Sequence, residues 1–443
     1  MQEPEKFKRA TTIREVRREA MVGPLKYGDP RYVDFGEVRG RDVVRRFLKL
    51  LDVEEGFVHI VYAGHRGSGK TTELNHLRYM LEEKGDTFVV YKDAYPDLAV
   101  GDLQYTDLLL YIAQMSVEGV GRSHPVREDL LEDVERWFYE VTKIEREEVE
   151  REIGVSAEAE AGLQLPLLGK LLTRLTARIK GRSADLQEIR LRLQSRPDEL
   201  IDNINRVFLA ISEILNEAGK SKLLLMIDSL DRQPSEIMER AFVQWAHMFT
   251  QLNVDLILTV PIGMIYSPRG ESILDTGFSY VVLPIIKVRR REQSWDDYDE
   301  KSVDKLREVI EKRVDVDKVF TDPNIVKEMA LMSGGSLREL LRLLEEAALE
   351  AEGERIDREA FERGRRNLYQ AFTANLRLSD YAALRNIHCR KSFDRTEEEL
   401  RTLFYRFALE YDAERWADVH PLIYYSREFQ DYLKEHPCEG PGR

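Results

Sequence analysis

Several features that would place a chain outside the cell or in a membrane are missing or scarce in this sequence. Only Cys389 and Cys438 occur in 443 residues, with no CxxC pair and no His/Cys cluster. That leaves no zinc site and no disulfide framework, and it reads as two thiols in a reducing cytoplasm. The first twenty residues carry no apolar leader core, and no apolar run approaches the roughly 20 residues that span a bilayer. Internal repeats and low-complexity tracts are missing, as is the Asn-Lys-x-Asp string that reads guanine. Positive charge is in deficit, at 67 Lys+Arg against 81 Asp+Glu and a formal net charge of -14. An acidic surface of this kind repels nucleic-acid phosphate unless a local patch reverses the sign. Charged residues nonetheless make up 33% of the chain, a composition that also suits a heat-adapted source.

The most informative stretch present is Gly64-His65-Arg66-Gly67-Ser68-Gly69-Lys70-Thr71, preceded by the apolar run 57–63 and followed by Thr72 and an amphipathic run from Leu74 to Leu81. A buried strand, a glycine-rich turn and a helix in this order make a phosphate-binding loop. The glycines let consecutive backbone N–H groups turn around a polyphosphate, Lys70 brings a point charge to the outer phosphates, and Thr71 offers a hydroxyl to Mg2+. The helix that follows favours an anion at its N-terminus. ATP and Mg2+ are therefore the expected cofactors.

Further apolar runs at 87–91, 223–227, 254–260 and 279–286 complete five strands, predicting an α/β fold with a parallel sheet. Roughly 160 residues separate Lys70 from Asp228, against about 30 for one βαβ unit, so a helical insertion at about 102–219 is expected. From Arg289 onward the periodicity is helical. The expected divisions are a charged helical segment at 1–34, a nucleotide domain at 35–289, a helical lid at 290–370 and a small helical or winged-helix-like module at 371–443.

Asp228 ends a strand of five apolar residues, which suits a carboxylate that steadies Mg2+ through water at the carboxyl edge of the sheet. Where many ATPases have a glutamate next, the string here is Asp228-Ser229-Leu230-Asp231-Arg232. Asp231 reads either as the group that positions the attacking water or as a turn residue paired with Arg232.

The Asp-Ser-Leu-Asp-Arg string, together with Gly40-Arg41-Asp42 ahead of the loop, resembles the signal-transduction (STAND) ATPases and the origin-recognition-like branch of AAA+. The resemblance implies a base-side role for Gly40 and Arg41. Ser333-Gly334-Gly335-Ser336-Leu337-Arg338-Glu339 is similar to the lid motif of those families, which implies that Arg338 is the sensor-2 arginine reaching the γ-phosphate. By the same resemblance Thr259 falls at the polar sensor-1 position. A trans-acting arginine is not evident, with Arg269 the one candidate, which leaves a homo-oligomer open.

Two segments stand apart. Pro166 opens a helix with an apolar stripe of Leu168, Leu171, Leu172, Leu175 and Ile179 and a basic face of Lys170, Arg174 and Arg178. It packs into its own protein, docks a partner or contacts membrane or phosphate. The C-terminal stretch carries a short basic cluster at 385–391, and its aromatic residues read as core; His420 before Pro421 reads as structural. The leading expectation is a Mg-ATP regulatory ATPase switching a protein partner. The alternatives are a DNA-binding loader or initiator and a nucleotide-locked scaffold.

Overall fold

The computed structural model describes residues 7–52, 55–95, 97–98, 101–147, 149, 165–291, 297–411 and 416–438. Two compact units share the chain: Met1–Arg45, Gly64–His76 and Val282–Arg443 make one, Arg46–Ala63 and Leu77–Val281 the other.

The second unit is built on the sheet. Its strands are β1 (His59–Gly64), β2 (Thr87–Asp93), β3 (Lys222–Asp228), β4 (Asp255–Val260) and β5 (Ser279–Leu283), in the order β2-β3-β4-β1-β5. The fold is α/β, with the expected five strands. β1, β3 and β4 are apolar on both faces and buried almost throughout, the pattern of parallel strands covered on both sides. Ile227 pairs with Leu258 and Leu258 with Val61 in parallel register, so β3 and β1 end on the same rim, one strand apart. Strand order reverses at β1, and such reversals leave a crevice at the carboxyl edge.

Between β2 and β3 the described residues form helices and no strand, including Tyr105–Gly121, Leu167–Gly181 and Pro197–Glu217. Part of this insertion, at 148 and 150–164, lies outside the described residues. The basic helix buries Leu168, Leu171, Leu172, Leu175 and Ile179 to 1% exposure or less, packing against Tyr105–Gly121. Its apolar stripe is thus used internally. Arg178 pairs with Asp185, and Arg190 reaches Asp102 at 3.1 Å and Asp107 at 2.5 Å, tying the insertion's helices together.

The first unit contains the helices Glu300–Glu311, Asn324–Met332, Leu337–Glu350 and Arg358–Phe372, then Leu378–Arg390, Glu397–Tyr405 and Arg427–Glu435. The region after Arg289 is not wholly helical. β6 (Ala408–Glu410) and β7 (Ala417–Val419) form an antiparallel pair. β5 also stops three residues short of its expected end, because Ile285 leaves the sheet to join Leu409, Tyr411 and Trp416 in a buried cluster. A second correction concerns the cysteines: Cys389 and Cys438 are joined as a disulfide with Cα atoms 5.5 Å apart, tethering the C-terminal helix, so they are not free thiols. Their separation of 49 positions gave no local spacing signal.

A cross-link over a loop of that length constrains the unfolded chain by roughly 2–4 kcal/mol. Thiol titration of the denatured protein is expected to find no reactive cysteine before reduction and both after it. Reduction should also lower the melting temperature; two free thiols without reductant would contradict the pairing.

Candidate nucleotide site

The loop lies in the first unit, and its carbonyl groups are engaged one after another. Lys70 Nζ donates to Gly64 O at 2.8 Å and to His65 O at 3.1 Å. Ser68 N closes a turn onto His65 O at 3.2 Å, and Glu73 N begins the helix on Gly69 O at 3.1 Å. Arg39 Nη2 donates to Ser68 O at 2.5 Å, while its Nη1 pairs with Glu73 Oε1 at 3.2 Å. Arg338 N donates to Gly67 O at 3.3 Å. Gly67 (φ 85°) and Gly69 (φ 104°) hold backbone conformations that side chains strain. A Cβ on Gly67 would lie 2.4 Å from Arg338 Cβ. Burial raises the Glu73 carboxyl above its usual range, with Arg39 opposing it.

Two side chains of the loop itself face the C-terminal segment. His65, 1% exposed, accepts from the backbone N–H of Glu410 in β6 through Nε2 at 2.9 Å. The Arg66 guanidinium lies 4.7 Å from the Phe404 ring centroid, a cation–π contact. The turn that carries Arg338 is seated equally closely. A Cβ on Gly335 would lie 1.8 Å from Ile286 O, so only glycine fits there. Glu339 is fully buried; burial alone would raise its pKa, yet Arg406 at 3.3 Å and the Ser336 hydroxyl hold it below the usual carboxylate range.

The residues expected from the other strands lie in the second unit. Asp228 is buried; it accepts from Tyr91 Oη at 2.9 Å and from Ser229 N at 2.7 Å. Burial, then the Asp228 charge, pushes the Tyr91 phenol up, so it stays a donor. Thr259 Oγ1 accepts from Leu230 N at 3.2 Å, holding the turn Leu230–Arg232 that carries the buried Asp231. Ser229, at φ 67°, makes the sharp exit from β3. Arg269 is mostly exposed and lies 3.6 Å from Glu239.

Among the expected residues, Gly64, His65, Arg66, Gly67, Ser68, Gly69, Lys70 and Arg338 are thus brought together. Thr71 sits in the first turn of the helix Lys70–Lys84, and Thr72 accepts from Leu25 N at 3.2 Å through its hydroxyl. Gly40 ends the short helix Gly36–Arg39 in a left-handed conformation, and Arg41 is exposed. Arg39, two positions before Arg41 and not among the expected residues, is the one in this segment seen to donate to the loop. Its neighbours give no periodic signal, because the contact exists only in the tertiary fold. Glu73, Arg406 and Tyr91 went unread for the same reason.

No protein-family model matches the chain, and no curated protein matches it in sequence. Among solved structures it is similar to the Orc1 protein of Aeropyrum pernix in complex with DNA, at 14% identity, with 95% of this chain and 97% of that chain covered and a TM-score of 0.38. A Walker-type ATPase of Pyrococcus abyssi is similar at 14% identity over 91% and 98%, with a TM-score of 0.38. Cdc6p from Pyrobaculum aerophilum follows at 11% identity over 94% and 98%, with a TM-score of 0.39. Likeness at this level assigns no function.

Burial pushes His65 down to about 3 and His420 to about 4, so both are neutral in the fold. An unfolded imidazole takes up its proton near pH 6.5, so below that value the unfolded chain binds more protons and stability is lost as the pH is lowered. Acidification from pH 7.5 to 5 is expected to lower the melting temperature less in His65→Gln than in the wild type. Equal slopes would contradict a buried neutral His65.

Proposed function

We propose that the chain binds Mg-ATP in the loop Gly64–Thr71 and acts as a regulatory ATPase, a nucleotide-driven switch of STAND or AAA+ type acting on a protein partner. One observation carries this reading: the loop's carbonyls are drawn to Lys70, Arg39 and Arg338, the arrangement that turns backbone amides toward an anion. Lys70 then serves the outer phosphates. Thr71 and Asp228 would hold Mg2+, a donor pair far short of an all-protein cage and suited to a metal that arrives with phosphates. Asp231, held by the Thr259-supported turn, positions the attacking water, and Arg338 meets the γ-phosphate. Gly40 and Arg41 lie on the base side. In this reading 290–370 is the lid and 371–443 the output module, which the contacts of His65 with Glu410 and Arg66 with Phe404 support.

Other observations weigh on the alternatives. Within the basic cluster, Arg385 donates to the carbonyls of His436 and Pro437, Arg390 pairs with Glu399, and Lys391 pairs with Asp418. Those charges are engaged internally, which disfavours DNA as the principal partner. The buried leucine face of Leu167–Gly181 removes the reason to invoke a membrane surface. Among the described residues no helix is long and apolar enough to cross one. A cytoplasmic setting fits an ATP-driven switch, and one disulfide does not oppose it in a heat-adapted source.

Nucleotide binding and phosphate release separate these readings. Lys70→Ala is expected to abolish Mg-ATP binding. Asp231→Ala should retain binding and lose about 10²-fold or more in turnover, while Arg338→Ala should bind with turnover reduced at least about tenfold. Binding without turnover in any protein, wild type included, would favour the scaffold, and a wild type that binds no nucleotide would overturn the proposal. DNA binding that falls steeply with salt would favour the initiator.

A further inference from the structure

Resting on that nucleotide reading, we infer that Arg39 is a positioning residue of the phosphate loop: it fixes the Ser68–Gly69 peptide plane and ties it to the helix that follows. The side chain is 3% exposed, and Gly40 (φ 66°) turns the backbone away immediately after it. One arm of the guanidinium donates to Ser68 O at 2.5 Å, the other pairs with Glu73 at 3.2 Å, and the Phe35 ring centroid lies 5.2 Å from Cζ. In a trans peptide the carbonyl and the next N–H point in opposite directions. Holding Ser68 O toward Arg39 therefore aims the Gly69 N–H the other way, and a Cβ on Gly69 would come 3.8 Å from Nη2.

The second arm gives the device its leverage. Glu73 lies in the first turn of the helix Lys70–Lys84, so one rigid fork clamps the loop to the helix end whose dipole favours an anion. A buried cation is costly unless its hydrogen bonds are met, and an apolar residue of similar size would fill the space more cheaply. Lysine offers a flexible point charge in place of the planar fork, so it holds the two acceptors less rigidly. Arg39 touches no reacting group in this scheme; it acts through Ser68 and Gly69.

The test compares wild type, Arg39→Gln, Arg39→Lys and Lys70→Ala for the Kd of a fluorescent ATP analogue with Mg2+. It is run at a temperature where circular dichroism shows each protein folded, and kcat and KM are measured alongside. Arg39→Gln is expected to weaken binding at least about tenfold and to raise KM more than it lowers kcat, with Arg39→Lys recovering part of the loss. A folded Arg39→Gln with wild-type Kd and only a lower melting temperature would show a structural role and overturn the inference. Should Arg39→Gln not fold, Arg39→Lys decides: Kd within about twofold of wild type would show that the fork is not needed. Absence of binding in the wild type would sink the nucleotide reading itself, whereas wild-type binding lost in Lys70→Ala and kept in Arg39→Gln sinks this inference alone.

Discussion

The direction of a few carbonyl groups is the constraint on which the site depends. Peptide groups are rigid dipoles, so a loop that presents its N–H groups to one side must satisfy its C=O groups on the other. Here Gly64 O and His65 O are met by Lys70, Ser68 O by Arg39, and Gly67 O by the amide of Arg338. Those three donors come from the loop's own helix, from the segment before β1 and from a helix some 270 residues later. A loop held from three parts of the chain would, in the proposed role, meet an anion with its amides already oriented.

The same first unit supplies a route outward. His65 and Arg66 are loop residues, yet their side chains face Glu410 and Phe404. Close by in the chain, Arg338 is followed by Glu339, whose buried carboxylate pairs with Arg406. Breaking such a pair singly is costly, because it strands a charge away from water. Closely packed interiors favour discrete arrangements over continuous adjustment, which is what the proposed switch would use.

Much of the fold was legible in the sequence for simple reasons. Continuous apolar runs such as Leu223–Ile227 have little choice but a doubly covered strand, and Gly67 and Gly69 ahead of Lys70 mark the glycine turn between β1 and the helix Lys70–Lys84. The leucine stripe of 168–179 packs inward, the commonest fate of such a face. Other features left no local trace. β6 and β7 have three residues each, too short for alternation to show, and the Cys389–Cys438 pair spans 49 positions. Arg39 sits in a helix of four residues, and nothing in its neighbours marks it above Arg41. What propensity and spacing encode was readable; what only the folded chain brings together was not.

The central claim is that nucleotide is gripped by the backbone of the loop. Hydrogen–deuterium exchange of the intact protein, with and without saturating Mg-ATP, addresses it at the amides themselves. The account predicts slower exchange across residues 65–72 on adding nucleotide, accompanied by altered exchange around Glu410. Unchanged exchange across the loop at saturating Mg-ATP would contradict it.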